Sequence, residues 1–173
     1  MANMGDLQAL LRDLGASRVK LDTVARQLRA EGWLSVLGHG PSAARIGARE
    51  AALMLLATAG SSKAVQASKR LEVLASLRNA QHRTLVDVLT EQLEAPSVHV
   101  DELRVSRRSD WAALITDGCE EAFSSPRYQR LDDHVRTEGI FTGYALERVR
   151  ALLAGPSPMQ RRRQRKRGKA GTS

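Results

Sequence analysis

The chain has 173 residues, of which 42% are hydrophobic and 27% are charged, and its formal net charge is +8. This length suits one folded domain or two small ones, and the composition is that of an ordinary globular protein. A single cysteine, Cys119, excludes an internal disulfide, and no apolar run approaches the roughly 18 residues that cross a membrane. We therefore expect a cytoplasmic protein with no membrane association.

The first segment, residues 5–60, has short helical patterns that a glycine-rich loop interrupts. Asp6 is a candidate N-cap for a first helix, which Gly15 would end. Asp22 is a candidate N-cap for a second helix, which Gly32 would end. The order of helix, basic turn and helix is typical of a helix-turn-helix unit.

Two further patterns complete this unit. The apolar run at 33–37 favours a strand or an extended core contact, and the loop Gly38-His-Gly-Pro-Ser42 cannot continue it. A wing-like loop is therefore predicted there. The helix predicted from Ala48 to Ala59 is apolar on nearly all sides, which indicates the buried centre of the unit.

The second segment, residues 61–95, is predicted to be a helical connector. Ser61 or Ser62 is a candidate cap, and Thr84 starts a capping-box-like sequence, so two helices in a hairpin and one long kinked helix both fit. The apolar stripe of this segment favours either core packing or the contact surface of a homo-oligomer. Its members are Ala67, Leu71, Leu74, Leu77, Leu85, Val88, Leu89 and Leu93.

The third segment, residues 97–155, is predicted to be a small α+β unit. Alternating, β-branched residues predict a hairpin over 97–116, which Asp117-Gly118 would end, with a further strand within 127–138. Thr142 is a candidate cap for a last helix. The predicted fold class is therefore α+β, with an N-terminal winged-helix-like unit, a central helical segment and a C-terminal hairpin plus helix.

The fourth segment, residues 156–173, is predicted to be a disordered basic tail. It holds seven cations and no acidic residue, and subtracting them from the total of +8 leaves +1 for residues 1–160. Such a block favours binding to a polyanion, first of all nucleic acid. A solubilising tail or an import-like basic run is the alternative reading. The cations are Arg161, Arg162, Arg163, Arg165, Lys166, Arg167 and Lys169.

The helix-turn-helix pattern predicts which side chains would contact DNA. Thr23, Arg26 and Gln27 lie on one face of the second helix with Ala30, and arginine and glutamine are side chains that read guanine and adenine edges. Phosphate contacts are expected from the turn, and contacts to the backbone or minor groove from the loop. The turn residues are Ser17, Arg18 and Lys20, and the loop residues are His39 and Arg45. The simpler interpretation is the solvated face of an amphipathic helix.

The stretch Val24-Ala-Arg-Gln-Leu-Arg-Ala-Glu-Gly-Trp-Leu34, with the glycine-rich loop and the apolar helix after it, resembles helix-turn-helix modules of small DNA-binding proteins of bacteriophages and prophages. The whole layout is also similar to small terminase subunits of tailed phages. The first resemblance implies a transcriptional regulator that binds double-stranded DNA as a dimer, with RNA polymerase as a partner. The second implies a ring of subunits that works beside a large terminase subunit. An RNA-binding or nucleoid-associated protein is a third possibility.

The sequence offers little for catalysis. The histidines His39, His82, His99 and His134 have no ligand-like spacing with Cys119, which argues against zinc. The cluster 132–134 is better explained as a polar turn, and the loop at 38–42 lacks the lysine and hydroxyl of a phosphate-binding loop. We therefore expect no enzyme activity, no cofactor and no metal.

Overall fold

The computed structural model describes residues 2–35, 45–95, 99–125 and 138–155. These ranges form six α-helices and a four-stranded antiparallel sheet, which confirms the α+β class. A short 3-10 helix, Ala64–Gln66, precedes the fourth helix. The elements in chain order are α1 (Met4–Asp13), α2 (Arg18–Ala30), α3 (Ala48–Gly60), α4 (Ala67–Ser76), α5 (Leu85–Glu94), β1 (Val100–Ser106), β2 (Trp111–Thr116), β3 (Cys119–Ser124), β4 (Glu138–Thr142) and α6 (Gly143–Ala154).

The predicted ends of the first two helices are confirmed, but their predicted starts are wrong. Gly15 and Gly32 have φ of 96° and 77° and follow α1 and α2, as expected for left-handed helix ends. The N-cap of α1 is Asn3, and Asp6 lies inside the helix, where its carboxylate accepts from the Asn3 amide at 2.9 Å. Helix α2 begins after Ser17, so the turn is shorter than predicted.

Helix α3 is the centre of the molecule, as the sequence predicts. Every residue from Ala51 to Gly60 is buried, and the helix contacts α2, α4, α5, α6, β1 and β4. One hydrophobic core runs from Ala2 to Val149 and includes all three predicted segments of the folded part. The segments 5–60, 61–95 and 97–155 therefore share a single core.

The connector consists of two helices, and its apolar stripe is core. Thr84 begins α5, and its hydroxyl oxygen accepts from the Asp87 amide at 3.1 Å. The predicted cap at Ser61 or Ser62 is wrong, because the N-cap of α4 is Gln66. Leu71, Leu74 and Leu85 are fully buried, so these leucines pack within the chain and are not a contact surface for a homo-oligomer.

The predicted hairpin is present and belongs to a larger sheet of order β3-β2-β1-β4. Asp117 and Gly118 have φ of 49° and 76° and form a two-residue turn into β3, where the sequence had indicated the end of the strands. Strand β4 pairs with β1, so the further strand begins at 138; residues 126–137 lie outside the described ranges. The buried side chains of one face are Leu103, Val105, Ala112, Leu114 and Phe123.

Helix α6 follows β4 directly. The hydroxyl oxygen of Thr142 accepts from the Ala145 amide, which confirms the predicted cap, and Gly155 follows the helix with φ of 74°. None of the helices in the described ranges is long and apolar enough to cross a membrane.

The closest approach of the sheet to α3 provides a test of this packing. A Cβ atom on Gly139 would lie 2.1 Å from the carbonyl oxygen of Ala59, which is backbone and cannot rotate away. We expect Gly139→Ala to lower the free energy of unfolding by at least about 2 kcal/mol, because β4 must move. Gly47→Ala is the control, since nothing lies within 4 Å of its Cβ position, and we expect less than about 1 kcal/mol there. Urea unfolding measures both; equal effects would contradict the close contact.

Candidate nucleic-acid interface

Helices α1 and α2 form a compact pair joined by residues 14–17. The turn contains Gly15, and its backbone bonds back to α1 through the Ala16 amide, which donates to the Leu11 carbonyl at 2.9 Å. The Gln8 amide group donates to the Leu21 carbonyl at 3.3 Å and fixes one helix against the other. A turn of this length with a glycine is the connection that helix-turn-helix motifs use.

The two sides of α2 differ sharply in burial. Leu21, Val24, Ala25 and Leu28 are fully buried against the core. The exposed positions of α2 include Arg18, Asp22 and Arg26, and Arg29 is half-buried beside them. We call these four residues the outer face of α2. Helix α3 is buried almost throughout, so among α1, α2 and α3 it cannot be the helix that enters a groove, whereas α2 has an open side.

Arg18 and Arg26 lie where the sequence predicted solvent-exposed cations, although Arg18 is in the helix and not in the turn. The Arg18 guanidinium forms an exposed i,i+4 ion pair with Asp22 at 3.6 Å. Arg26 has no hydrogen bond or ion pair within the described residues. A surface pair of this kind contributes little stability, so Arg18 can exchange its partner, and Arg26 has no partner among the described residues to release.

Lys20 does not lie in the turn, and its amine is engaged inside the molecule. The Nζ atom donates to the carbonyl oxygens of Thr58 and Ser61 at 2.8 and 2.7 Å, which places it at the C-terminal end of α3. Burial lowers the pKa of this amine, and the charge of Arg107 lowers it further. The predicted position in the basic turn is therefore wrong, because the carbonyl groups at the end of a buried helix need donors.

Gln27 and Thr23 are also less accessible than the pattern predicted. Both side chains are half-buried, and the Gln27 amide group donates to the Val65 carbonyl at 3.0 Å. Gln27 thereby holds the short 3-10 helix against α2. The solvated face predicted from Thr23, Arg26 and Gln27 thus reduces to Arg26, with Thr23 at its border.

Arg45 is exposed and lies near the start of α1. Its backbone forms an isolated antiparallel bridge with Asn3. The Glu50 carboxylate accepts from the Ser35 hydroxyl and from the Gly47 amide, the latter at 3.1 Å. His39 and the rest of the predicted wing lie outside the described residues, as do the cations of 161–169.

Sequence reasoning missed two basic residues of this surface. Arg12 is exposed in the last turn of α1, immediately before the turn, and Arg29 lies three residues after Arg26. The signal was the spacing of Arg18, Asp22, Arg26 and Arg29, which recurs every three or four residues along one side of a helix.

Acidic and histidine side chains meet elsewhere in the fold. His99 contacts Asp101 at 3.1 Å and Glu147 at 3.2 Å, and so links the start of β1 to α6. Within the described ranges no group of three histidine, cysteine or acidic side chains has a metal-binding arrangement. Residues 132–134 lie outside those ranges.

Comparison with known proteins identifies no relative. The chain matches no protein-family model, and no curated protein or solved structure is significantly similar to it. The functional interpretation therefore depends on the geometry of the chain itself.

The role of Lys20 can be tested by removing its charge and keeping its length. We expect Lys20→Met to lower the free energy of unfolding by about 1–3 kcal/mol, because two carbonyl groups at the end of α3 lose their donor. Lys63→Met, at an exposed lysine, should change it by less than about 0.5 kcal/mol. Urea unfolding at neutral pH measures both. A loss no larger than that of the control would show that water replaces the amine.

Proposed function

We propose that the protein binds double-stranded DNA by placing the outer face of α2 in the major groove, as a phage-type transcriptional regulator does. One observation carries this proposal: Arg18, Arg26 and Arg29 lie along the open side of a helix that follows a four-residue turn. An α-helix fits the major groove, and arginine is the side chain that most often reads guanine. Leu21, Val24, Ala25 and Leu28 of α2 are packed on the core, which fixes the orientation of the helix that carries these arginines.

The start of α2 supports a phosphate contact. Ser17 is the N-cap residue, but its side chain makes no capping hydrogen bond, and the first turn holds no acidic residue. No side-chain hydrogen bond from the described residues therefore caps the first amide groups of this helix, beside Arg18. The N-terminus of a helix attracts anions, and DNA-binding proteins use such amide groups on phosphates.

The cations of 161–169 support the proposal from composition alone. Seven charges in nine positions, with no acidic residue among them, favour contacts to the phosphate backbone that do not depend on base sequence. We propose that this segment adds affinity and that α2 supplies discrimination. Arg45, beside the start of α1, is the candidate for one further backbone contact.

The packaging alternative, a small terminase subunit, has less support. It requires a ring of subunits, and the apolar stripe that the sequence offers as a homo-oligomer contact contains leucines that are fully buried. The same burial removes this stripe as the contact of a regulator dimer, so the preference for the regulator depends on the outer face of α2. The proposed activity is binding, with no catalytic step and no cofactor.

The proposal predicts that Arg26 reads a base. We expect Arg26→Ala to weaken binding to a selected cognate site by about 1–3 kcal/mol and binding to random DNA by much less. Arg18→Ala is the matched control, since a phosphate contact should weaken binding to both DNAs equally. Titrations by fluorescence anisotropy at one fixed salt concentration measure the four affinities. Unchanged binding of the Arg26 variant to both DNAs would remove α2 from the interface.

The proposal also predicts what the basic segment does. Deleting residues 160–173 should weaken binding to every DNA by a similar factor at low salt. It should also lower the magnitude of the log K against log salt slope by about 6, because each neutralised phosphate releases counterions. The preference for a cognate site should survive. If the slope and affinity stay the same after deletion, the segment has another partner.

A further inference from the structure

Within the described ranges, the outer edge of the sheet begins a fifth strand and does not complete it. Strand β3 pairs with β2 on one side, and at its end Ser124 exchanges two hydrogen bonds with Arg78 on the other side, at 3.0 and 3.2 Å. In an antiparallel pair, alternate residues direct both backbone groups to the same neighbour. Ala122 and Glu120 therefore direct their N–H and C=O groups to the side where Arg78 lies.

The chain leaves this edge immediately after Arg78. The Asn79 amide donates to the Arg83 carbonyl, and the Asn79 carbonyl accepts from the His82 amide. These two bonds close a tight loop after Arg78. Within the described ranges, no hydrogen bond reaches the backbone groups of Ala122 or Glu120. Both residues are exposed, so a row of strand-pairing groups stays open beside the position that Arg78 occupies.

A cleft lies along this open edge. It has a volume of about 460 Å³ and lies between the 79–83 loop and residues 120–122 of β3. One wall is fixed, because the side chain of Asn79 is buried and donates to the Glu121 carboxylate at 2.5 Å. The hydrogen bond between Asn79 and Glu121 therefore holds one wall of the cleft, and the cleft has room for an extended backbone.

The charges around the cleft are mostly negative. Glu120 is exposed and Glu121 is half-buried in its wall. Arg83 is the cation of the lining, and it forms an ion pair with Glu91. The hydrogen bond that Arg83 makes to Glu91, together with the charges of Glu91, Glu121 and Asp87, raises the pKa of Arg83. Because Arg83 is already paired with Glu91, the carboxylates of Glu120 and Glu121 leave the edge negative, and it attracts cations.

We propose that the open edge of β3 binds an extended peptide segment of a partner protein, which joins the sheet as a fifth strand and places lysine or arginine beside Glu120. Addition of a strand to a sheet edge uses the backbone groups that Ala122 and Glu120 leave open. Acidic side chains repel nucleic acid, so this site is distinct from the DNA-binding face. It does not depend on the proposed DNA-binding function.

The probe is a fluorescent eight-residue peptide in which lysine alternates with valine, titrated into the full-length protein at low salt. We expect saturable binding, together with shifts of the Glu120 and Ala122 amide signals in NMR spectra. Two methylated forms of the peptide test strand pairing. Methylating alternate backbone N–H groups should weaken binding at least tenfold in one form and leave it nearly unchanged in the other, because only one edge of the added strand faces β3. Equal effects of the two methylations would overturn the proposal.

Two variants test the protein side. Ala122→Pro removes an edge N–H without removing a β2–β3 bond, and it should weaken binding at least tenfold, whereas Ala122→Val should not. Glu120→Lys should weaken binding of the lysine peptide and favour a glutamate peptide, which keeps the test valid if the proline variant does not fold.

Three results would overturn the proposal. The first is unchanged peptide binding by both the Ala122→Pro and the Glu120→Lys variants. The second is a protein that binds no peptide and whose molecular mass in solution falls on Ala122→Pro. The third is peptide binding that occurs only after the cations of 161–169 are replaced by glutamine. The second result would identify a second copy of the chain as the occupant of the edge. The third would identify the basic segment of the chain itself.

Discussion

The C-terminal end of α3 is the constraint on which the fold depends. A helix that is buried on nearly all sides must satisfy its last carbonyl groups inside the molecule, and no left-handed glycine ends α3. The donors come from three places: the Ser61 hydroxyl on the Ala57 carbonyl, the Lys20 amine of α2 on Thr58 and Ser61, and Arg107 of the β1–β2 turn on Ala59 at 3.2 Å. Two cations at the negative end of a helix offset part of the cost of their own desolvation. The same contacts attach α2 and the sheet to the central helix.

Because several cations bind carbonyl groups within the fold, fewer basic residues remain exposed on the surface. Lys20 and Arg107 act within the fold, and so does Arg70, whose guanidinium donates to the Ser106 carbonyl at 2.9 Å and pairs with Asp110 at 3.3 Å. Of these three residues, Lys20 was predicted from the sequence to contact phosphate. The cations that remain available on α2 are those on its outer side, where Arg26 makes no hydrogen bond or ion pair within the described part of the chain. The buried face of the helix therefore determines which arginines can point to solvent.

Some features set by local chemistry were predictable, and features set by distant contacts were not. The caps expected at Asp6, Asp22 and Ser61 or Ser62 were wrong, since each helix starts at another residue. The glycine ends at Gly15 and Gly32 and the threonine caps depend on residues within a few positions, so their patterns suffice. Strand β3 was missed because it places only Phe123 in the core and exposes acidic residues, so its alternation is weak. The Asp-Gly pair before it, a hairpin turn signal, was interpreted as the end of the strands. The hydrogen bonds of the Lys20 amine were not predicted for another reason. Its partners are backbone carbonyls about forty positions away, and a backbone carbonyl cannot be recognised as a partner from the sequence.

Helix α4 connects the two proposed binding surfaces. Near its start, Ser68 hydrogen-bonds to Glu31 at the end of α2, and near its middle Arg70 holds the β1–β2 turn. The loop after it carries Arg78, which pairs with β3 beside the open edge. Mechanical continuity of this kind does not by itself couple two sites, because coupling requires an element with two arrangements that both ligands bias. Leu71 and Leu74 of α4 are fully buried in the shared core, which opposes a second position for the helix. DNA binding at α2 and peptide binding at β3 should therefore be energetically independent. A titration of DNA at saturating lysine peptide should give the affinity measured without it, and an affinity that differs severalfold would show that α4 moves.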